Sequence, residues 1–274
     1  MSNMEIIETF RKGKSPEKVC EDLYAITDSF VAVIDGVTSK SDFRSNGKTT
    51  GRLAAEIIKS VIQTMPRDIT LKGFLAAVNE HFTRMCDEYP YLKNNRDKGM
   101  QAVCAIYSDY YREIWMIGDC QVMVDGREYR NNKPSDEILS NMRSLVISCM
   151  RSDHTEQESM DAARSIVLPW ILESTKFANR ADSPYGFALI NGEEIPDSLI
   201  RKIALDSLDH EIILASDGYP FLKNTLAESE HCLKQTMLTD PACCTFLSTK
   251  ALCKCDDSFD DRTYIRFVIS NQND

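Results

Sequence analysis

Apolar residues along this chain change their spacing several times, and each change marks an element. Residues 22–28 (DLYAITD) and 30–36 (FVAVIDG) read as two short strands joined by a tight turn, the second ending in the turn pair Asp-Gly. Residues 37–46 are polar and loop-like. From Thr49 to Met65 the period becomes helical: Leu53, Ile57, Val61 and Met65 recur every fourth residue, Ala54 and Ile58 widen the face, and Pro66 ends it. A second helix is predicted from Leu71 to Tyr89, with Thr70 as N-cap and Phe74, Leu75, Val78, Phe82 and Met85 as its apolar stripe.

Three consecutive strands follow at 100–109, 112–119 and 121–126, an antiparallel meander rather than βαβ alternation. Residues 134–178 are expected to be mostly helical, interrupted at Pro169. Strands are predicted at 185–191, 211–217 and 263–270, and helices at 225–235 and 241–252. No internal repeat and no Gly/Ser- or Pro-rich linker divides the chain. The order therefore predicts one α+β domain in which strand blocks alternate with helix pairs, and two stacked sheets with helices outside accommodate it.

Composition adds constraints. The 274 residues include 32 Lys+Arg and 42 Asp+Glu, a net charge of −10, with 43% hydrophobic and 27% charged residues. These are the proportions of a globular protein long enough to bury a full core without disulfides. The acidity argues against a nucleic-acid partner. No run approaches the ~18 apolar residues of a membrane span, and MSNMEIIETFRKGK lacks the apolar core of a signal peptide. A cytoplasmic location with no membrane partner is the expectation, and the ten cysteines then read as reduced thiols. Cys243-Cys244 and Cys253-Lys-Cys255 lack C-x-x-C spacing, and His231 is the only imidazole near them, so zinc is not expected. Cys104, Cys120, Trp115 and Trp170 read as core residues.

The informative polar residues are acids at strand ends. Asp35 ends FVAVI and precedes Gly36; Asp119 follows IWMI-Gly118; Asp217 ends EIILAS and precedes Gly218. Asp260 lies in SFDD just before the last strand, and Glu21-Asp22 opens the first. At such an end the sheet holds the backbone while the carboxylate can point into a cleft. A single acid there is ordinarily a turn residue. Several that converge cannot all stay ionised without a cation. Oxygen ligands without histidine suit Mg²⁺ or Mn²⁺ better than zinc.

These segments, in this order, resemble the metal-dependent type 2C (PPM) Ser/Thr protein phosphatases along nearly the whole chain. Cys20-Glu21-Asp22 is similar to the opening Glu-Asp of that family, and Val33-Ile34-Asp35-Gly36 to its Asp-Gly strand end before a long Ala-rich helix. Ile117-Gly118-Asp119-Cys120 resembles its Gly-Asp-Ser with Cys for Ser. Leu214-Ala215-Ser216-Asp217-Gly218 matches its Ala-Ser-Asp-Gly, and Asp260-Asp261-Arg262-Thr263 its closing Asp-Asn-x-Thr.

The resemblance implies a four-layer α-β-β-α sandwich with two stacked, mainly antiparallel sheets. It implies a single domain over 1–274, with a divergent, mostly helical flap-region insert at about 127–182. The implied activity is a protein serine/threonine phosphatase acting on a phosphorylated protein through water activated by two Mn²⁺ or Mg²⁺ ions. On matching positions Asp35 would bridge the ions, the Gly36 carbonyl would bind one, and Asp217 and Asp260 would complete the other. Asp22 would act through water, and Asp119 with Asp217 would hold a third, weaker ion.

Two departures concern substrate handling. The Asp-Gly-His-Gly-Gly of many members is here Asp35-Gly36-Val37-Thr38-Ser39, and valine cannot protonate a leaving alkoxide. The Arg expected on phosphate falls near Glu17, so Lys14 or Lys18 would have to substitute. Two other readings compete. One is a non-catalytic member that kept the fold as a binding or regulatory module. The other is a P-loop enzyme, from Gly47-Lys48-Thr49-Thr50, but the position that motif requires to be glycine is Asp42. A Gly-x-Ser-x-Gly elbow is absent. The acidic run 256–261 lacks the central Gly and final Glu of a calcium loop.

Overall fold

A computed structural model describes residues 2–95, 98–253 and 255–271. Among them are ten strands: β1 (Ser2–Lys12), β2 (Leu23–Ile26), β3 (Phe30–Gly36), β4 (Ala102–Ser108), β5 (Glu113–Ile117), β6 (Gln121–Val124), β7 (Arg127–Tyr129), β8 (Arg201–Ala204), β9 (His210–Ala215) and β10 (Arg262–Asn271). Helices are α1 (Thr50–Thr64), α2 (Leu71–Glu88), the short α3 (Pro90–Asn94), α4 (Pro134–Met150), α5 (Glu156–Glu173) and α6 (Leu226–Thr239). The strands form two five-stranded antiparallel sheets, in the orders β1-β10-β9-β6-β7 and β2-β3-β4-β5-β8.

Alternation along the strands decides what lies where. In β3 and β4, Val31, Val33, Val103, Ala105 and Tyr107 face the other sheet and meet Ile212, Leu214, Ile265, Phe267 and Ile269 from β9 and β10. The opposite face of the same strands, with Ala32, Ile34, Cys104 and Ile106, packs on Leu53, Ala54, Ile58 and Ile62 of α1 and Phe74, Val78 and Phe82 of α2. Both faces of these central strands are buried, so they read as near-continuous apolar runs. Outside the other sheet, Ile213, Ala215, Tyr264 and Met123 are covered by Tyr219, Leu222 and the first residue of α6, Leu226. The layers are therefore helix, sheet, sheet and helix, the last of them thin. Side-chain oxygens cap α1, α2, α5 and α6: Thr49 accepts from Arg52 N, Thr70 from Gly73 N, and Thr155 and Thr225 form capping boxes; α4 starts instead on Pro134.

Several expectations need correction. Asp35-Gly36 is no turn; both residues end β3 and pair with Val103 and Ala102 of β4. Gly36 is required there because a Cβ would lie 2.5 Å from the Gly51 carbonyl of α1. Segment 185–191 makes only isolated bridges, Ala178 with Phe187 and Ala102 with Ile190. Segment 241–252 is a run of turns, not a helix. Asp240 takes the N–H groups of Cys244, Thr245 and Phe246 on its carboxylate, and Cys243 sits at φ 50°. Trp170 is 59% exposed, while Trp115 is buried. Strands β1, β7 and β8 lie where the sequence pattern predicts none. The predicted insert, 127–182, contains β7, the α4–α5 hairpin and a 3₁₀ turn at Ser174–Phe177.

Candidate active site

The five strand-end acids come from both sheets and meet at one end of the sandwich. Asp22 precedes β2, Asp35 ends β3, and Asp119 follows β5 across Gly118. Asp217 follows β9 and Asp260 precedes β10 in the other sheet. Asp35, Asp119, Asp217 and Asp260 line one open cavity of about 840 Å³. Asp22 lies behind them, 1% exposed.

Local structure fixes each position. Gly118 adopts φ 83°, and a Cβ there would lie 2.1 Å from Val103 Cγ1, so only glycine makes the bend that carries Asp119. Asn131 Nδ2 donates to the Gly118 carbonyl at 3.0 Å. Asp217 is tied to both neighbouring strands. Ser216 N donates to Thr263 O at 3.1 Å, Thr263 N donates to Ser216 Oγ at 2.9 Å, and Gln121 Nε2 donates to the carbonyls of Ser216 and Tyr219. Asp261, in the place of the expected Asn, accepts from Lys14 N at 2.8 Å and Glu21 N at 2.6 Å, joining the first and last parts of the site. Glu21 does not face the acids; it accepts from Thr49 Oγ1 at 2.5 Å and Ser39 N at 3.2 Å, seating the start of α1.

The acids crowd one another. Loss of solvent, then the charges of Asp22, Asp217 and Asp119, holds Asp35 well above the usual carboxylate range. Asp217 is raised by loss of solvent and then by Asp119, and Asp119 by loss of solvent and then by Asp136. Burial pushes Asp22 up to about 7, with Asp261 and Asp217 adding to the rise against the opposing pull of the Ser216 and Thr263 side chains. Asp22 Oδ2 accepts from Thr263 Oγ1 at 2.9 Å, but its buried Oδ1 has no hydrogen-bond partner.

This donor set suits a hard divalent cation. The oxygens are carboxylate, the charges conflict without a counter-ion, and a buried carboxylate oxygen is left unpartnered. Among the described residues no three such side chains surround a common point as they stand. Asp35, Asp119 and Asp217 are the residues that would hold the ion, with Asp22 behind them.

The fourth acid is differently placed. Asp260 Oδ1 accepts from Lys14 Nζ at 2.6 Å and from Asp261 N at 2.9 Å, and Lys250 Nζ pairs with Oδ2. Lys14 is 7% exposed and also donates to Thr38 Oγ1 at 2.9 Å. Loss of solvent and the charge of Lys14 bring Lys250 down to about 8, against the opposing pull of Asp217 and Asp35. Lys40, Lys133 and Arg164 also line the cavity, Lys133 paired with Asp136 at 3.2 Å, and give that side of an acidic protein a basic wall interrupted by Asp136 and Glu137. The other nominated lysine, Lys18, is elsewhere: it pairs with Asp256 at 3.0 Å on the surface. Glu17 is exposed, Val37 lines the cavity, and Lys48, just before α1, pairs with Glu56 of that helix at 2.6 Å.

Sequence reasoning missed Lys250, Lys40 and Arg164. Lys250 lies inside the segment 241–252 expected to be helical. That segment is instead held by the insert: Arg143, 0% exposed, donates to the carbonyls of Ala242 and Ser248 at 2.8 and 3.1 Å, and Arg164 to that of Thr249 at 2.7 Å. No sequence period signals an arginine on a carbonyl.

No protein-family model and no curated protein matches the sequence. Solved structures do. The serine/threonine phosphatase PstP/Ppp of Mycobacterium tuberculosis is 14% identical with a TM-score of 0.52, over 99% of this chain and all of that one. The catalytic domain of PstP in complex with two manganese ions is 13% identical with a TM-score of 0.51, over 98% of this chain and all of that one. The chain has the fold of the PPM-type Ser/Thr phosphatases. Among the described residues no helix is long and apolar enough to cross a membrane.

Proposed function

We propose that this protein is a metal-dependent phosphatase that removes phosphate from phosphoserine or phosphothreonine on proteins. The observation that carries this reading is the convergence of Asp35, Asp119 and Asp217, from both sheets, on a cavity with a basic wall. Bound Mg²⁺ or Mn²⁺ supplies a nucleophilic water at neutral pH and neutralises phosphate oxygens. The chain's part is to hold the carboxylates with strand ends rather than flexible loops. Lys40 and Arg164 attract the phosphate and keep it on the cavity side of the acids. Lys14 joins them from behind Asp260. Val37 supplies no proton to the leaving alkoxide, so solvent in the open cavity must do so, and slow turnover is expected.

The same valine favours a second reading, a regulatory module that binds a phosphorylated partner without hydrolysing it. One assay separates them. Phosphate release from a phosphothreonine peptide and from p-nitrophenyl phosphate is measured with Mn²⁺ and with EDTA, for wild type and Asp217→Ala. The phosphatase reading expects Mn²⁺-dependent release that falls at least 100-fold in the variant, on the order of the loss when a transition-state charge stabiliser is removed. Release that is absent in wild type, or unchanged in the variant, rejects it.

A further inference from the structure

The two ammonium groups on Asp260 bear on how many ions the site can take. Both oxygens of this carboxylate are engaged: Oδ1 by Lys14 at 2.6 Å and by the Asp261 amide, Oδ2 by Lys250. These take three of the roughly four acceptor directions of a carboxylate, so a divalent ion would have to share Oδ2 with a like-charged ammonium or displace it.

Neither lysine is placed by chance contact. Lys14 is buried, and its backbone N–H is fixed on Asp261 at 2.8 Å while its ammonium is fixed on Thr38 at 2.9 Å. Lys250 is delivered by a loop whose carbonyls are gripped by Arg143 and Arg164 of the α4–α5 hairpin. It stands within electrostatic reach of Asp35 and Asp217 as well. Two ammonium groups carry the same charge as one divalent ion, and they carry it where the second ion implied by the resemblance would sit.

We propose that the cavity loads a single divalent ion, on Asp35, Asp119 and Asp217, and that Lys14 and Lys250 replace the second ion at Asp260. This rests on the metal-dependent reading above and narrows it. Asp260 is then a holder of lysines, not a metal ligand. The positive charge beside the reacting phosphate is in part covalently built in, and it does not wash out with the metal.

The test is the stoichiometry of Mn²⁺ bound to the intact chain, by calorimetric titration after EDTA treatment and desalting, with electron paramagnetic resonance of the loaded protein. Wild type is expected to take up one ion per chain and to show the six-line spectrum of an isolated Mn²⁺. The Lys14→Met/Lys250→Met variant is expected to take up two, with the broadened spectrum of a coupled pair. Lys250→Gln alone, should the double variant not fold, is expected to bind a second ion at least tenfold more tightly than wild type does. Two ions in wild type overturn the inference and leave the metal-dependent reading standing. One ion in wild type and still one in a folded lysine variant also overturns it, because the lysines then exclude nothing. No uptake by wild type overturns the inference together with the reading beneath it.

Discussion

Asp22 offers a direct measure of what the acid cluster costs the fold. Its carboxyl is buried, holds one hydrogen bond from Thr263 at 2.9 Å, and leaves Oδ1 unpartnered. An acid whose ordinary value is 3.8 and which titrates near 7 in the folded chain binds its proton more tightly folded than unfolded. Its burden on stability is absent below the unfolded value, grows as pH rises between the two, and is complete above the folded one. At about 1.4 kcal/mol per pH unit, keeping it charged at pH 8 costs roughly 3–5 kcal/mol. In Asp22→Asn the amide oxygen can still accept from Thr263, while the NH₂ takes the place of the unpartnered oxygen, at a cost of about 1–3 kcal/mol.

Urea unfolding in EDTA, followed by tryptophan fluorescence, should therefore find Asp22→Asn more stable than wild type by roughly 2 kcal/mol at pH 8. At pH 5 the folded carboxyl is protonated but the unfolded one is ionised, so the wild-type burden is still about 1.5 kcal/mol and roughly balances the unpaired amide. The variant's advantage should therefore shrink by roughly 2–3 kcal/mol between the two pH values. A variant destabilised equally at both pH values would refute the reasoning, since the carboxyl would then carry no charge burden.

Two further outcomes are expected. Saturating Mn²⁺ should raise the wild-type melting temperature, by about 5 °C at a hundred times the dissociation constant, in differential scanning fluorimetry. Gly218→Ala should cost roughly 3 kcal/mol or more in denaturant unfolding, because its Cβ would lie 2.1 Å from the Asp261 carbonyl oxygen and 2.8 Å from Arg262 Cβ, backbone-anchored atoms that cannot swing away.

The sandwich and the acids were legible for one reason. Strands such as FVAVI and EIILA are buried on both faces, so they stand out as apolar runs, and an acid within two residues of each run marks the strand end. Asp35, Asp119 and Asp217 were found by that signal. The lysines were not, because nothing local announces them. Segment 241–252 has helical composition, yet Asp240 captures its amides and arginines 80–100 residues earlier capture its carbonyls. Strand β1 is hidden because Ile7 lies on its exposed face and Glu8 on its half-buried one, so its apolar residues do not alternate, and β8 because only Ile203 of its four residues is buried. Trp170 was assigned to the core by residue type alone; the α5 face that carries it is exposed.

Strand β10 lies between β1 and β9, so the sheet that carries Asp217 cannot close until residues 262–271 are in place. Asp35 and Asp119 precede that moment by well over a hundred residues of synthesis. A chain folded only as far as β9 therefore carries Asp217 on a strand that lacks one of its two neighbours, and the wall opposite Asp35 and Asp119 is complete only when β10 is inserted.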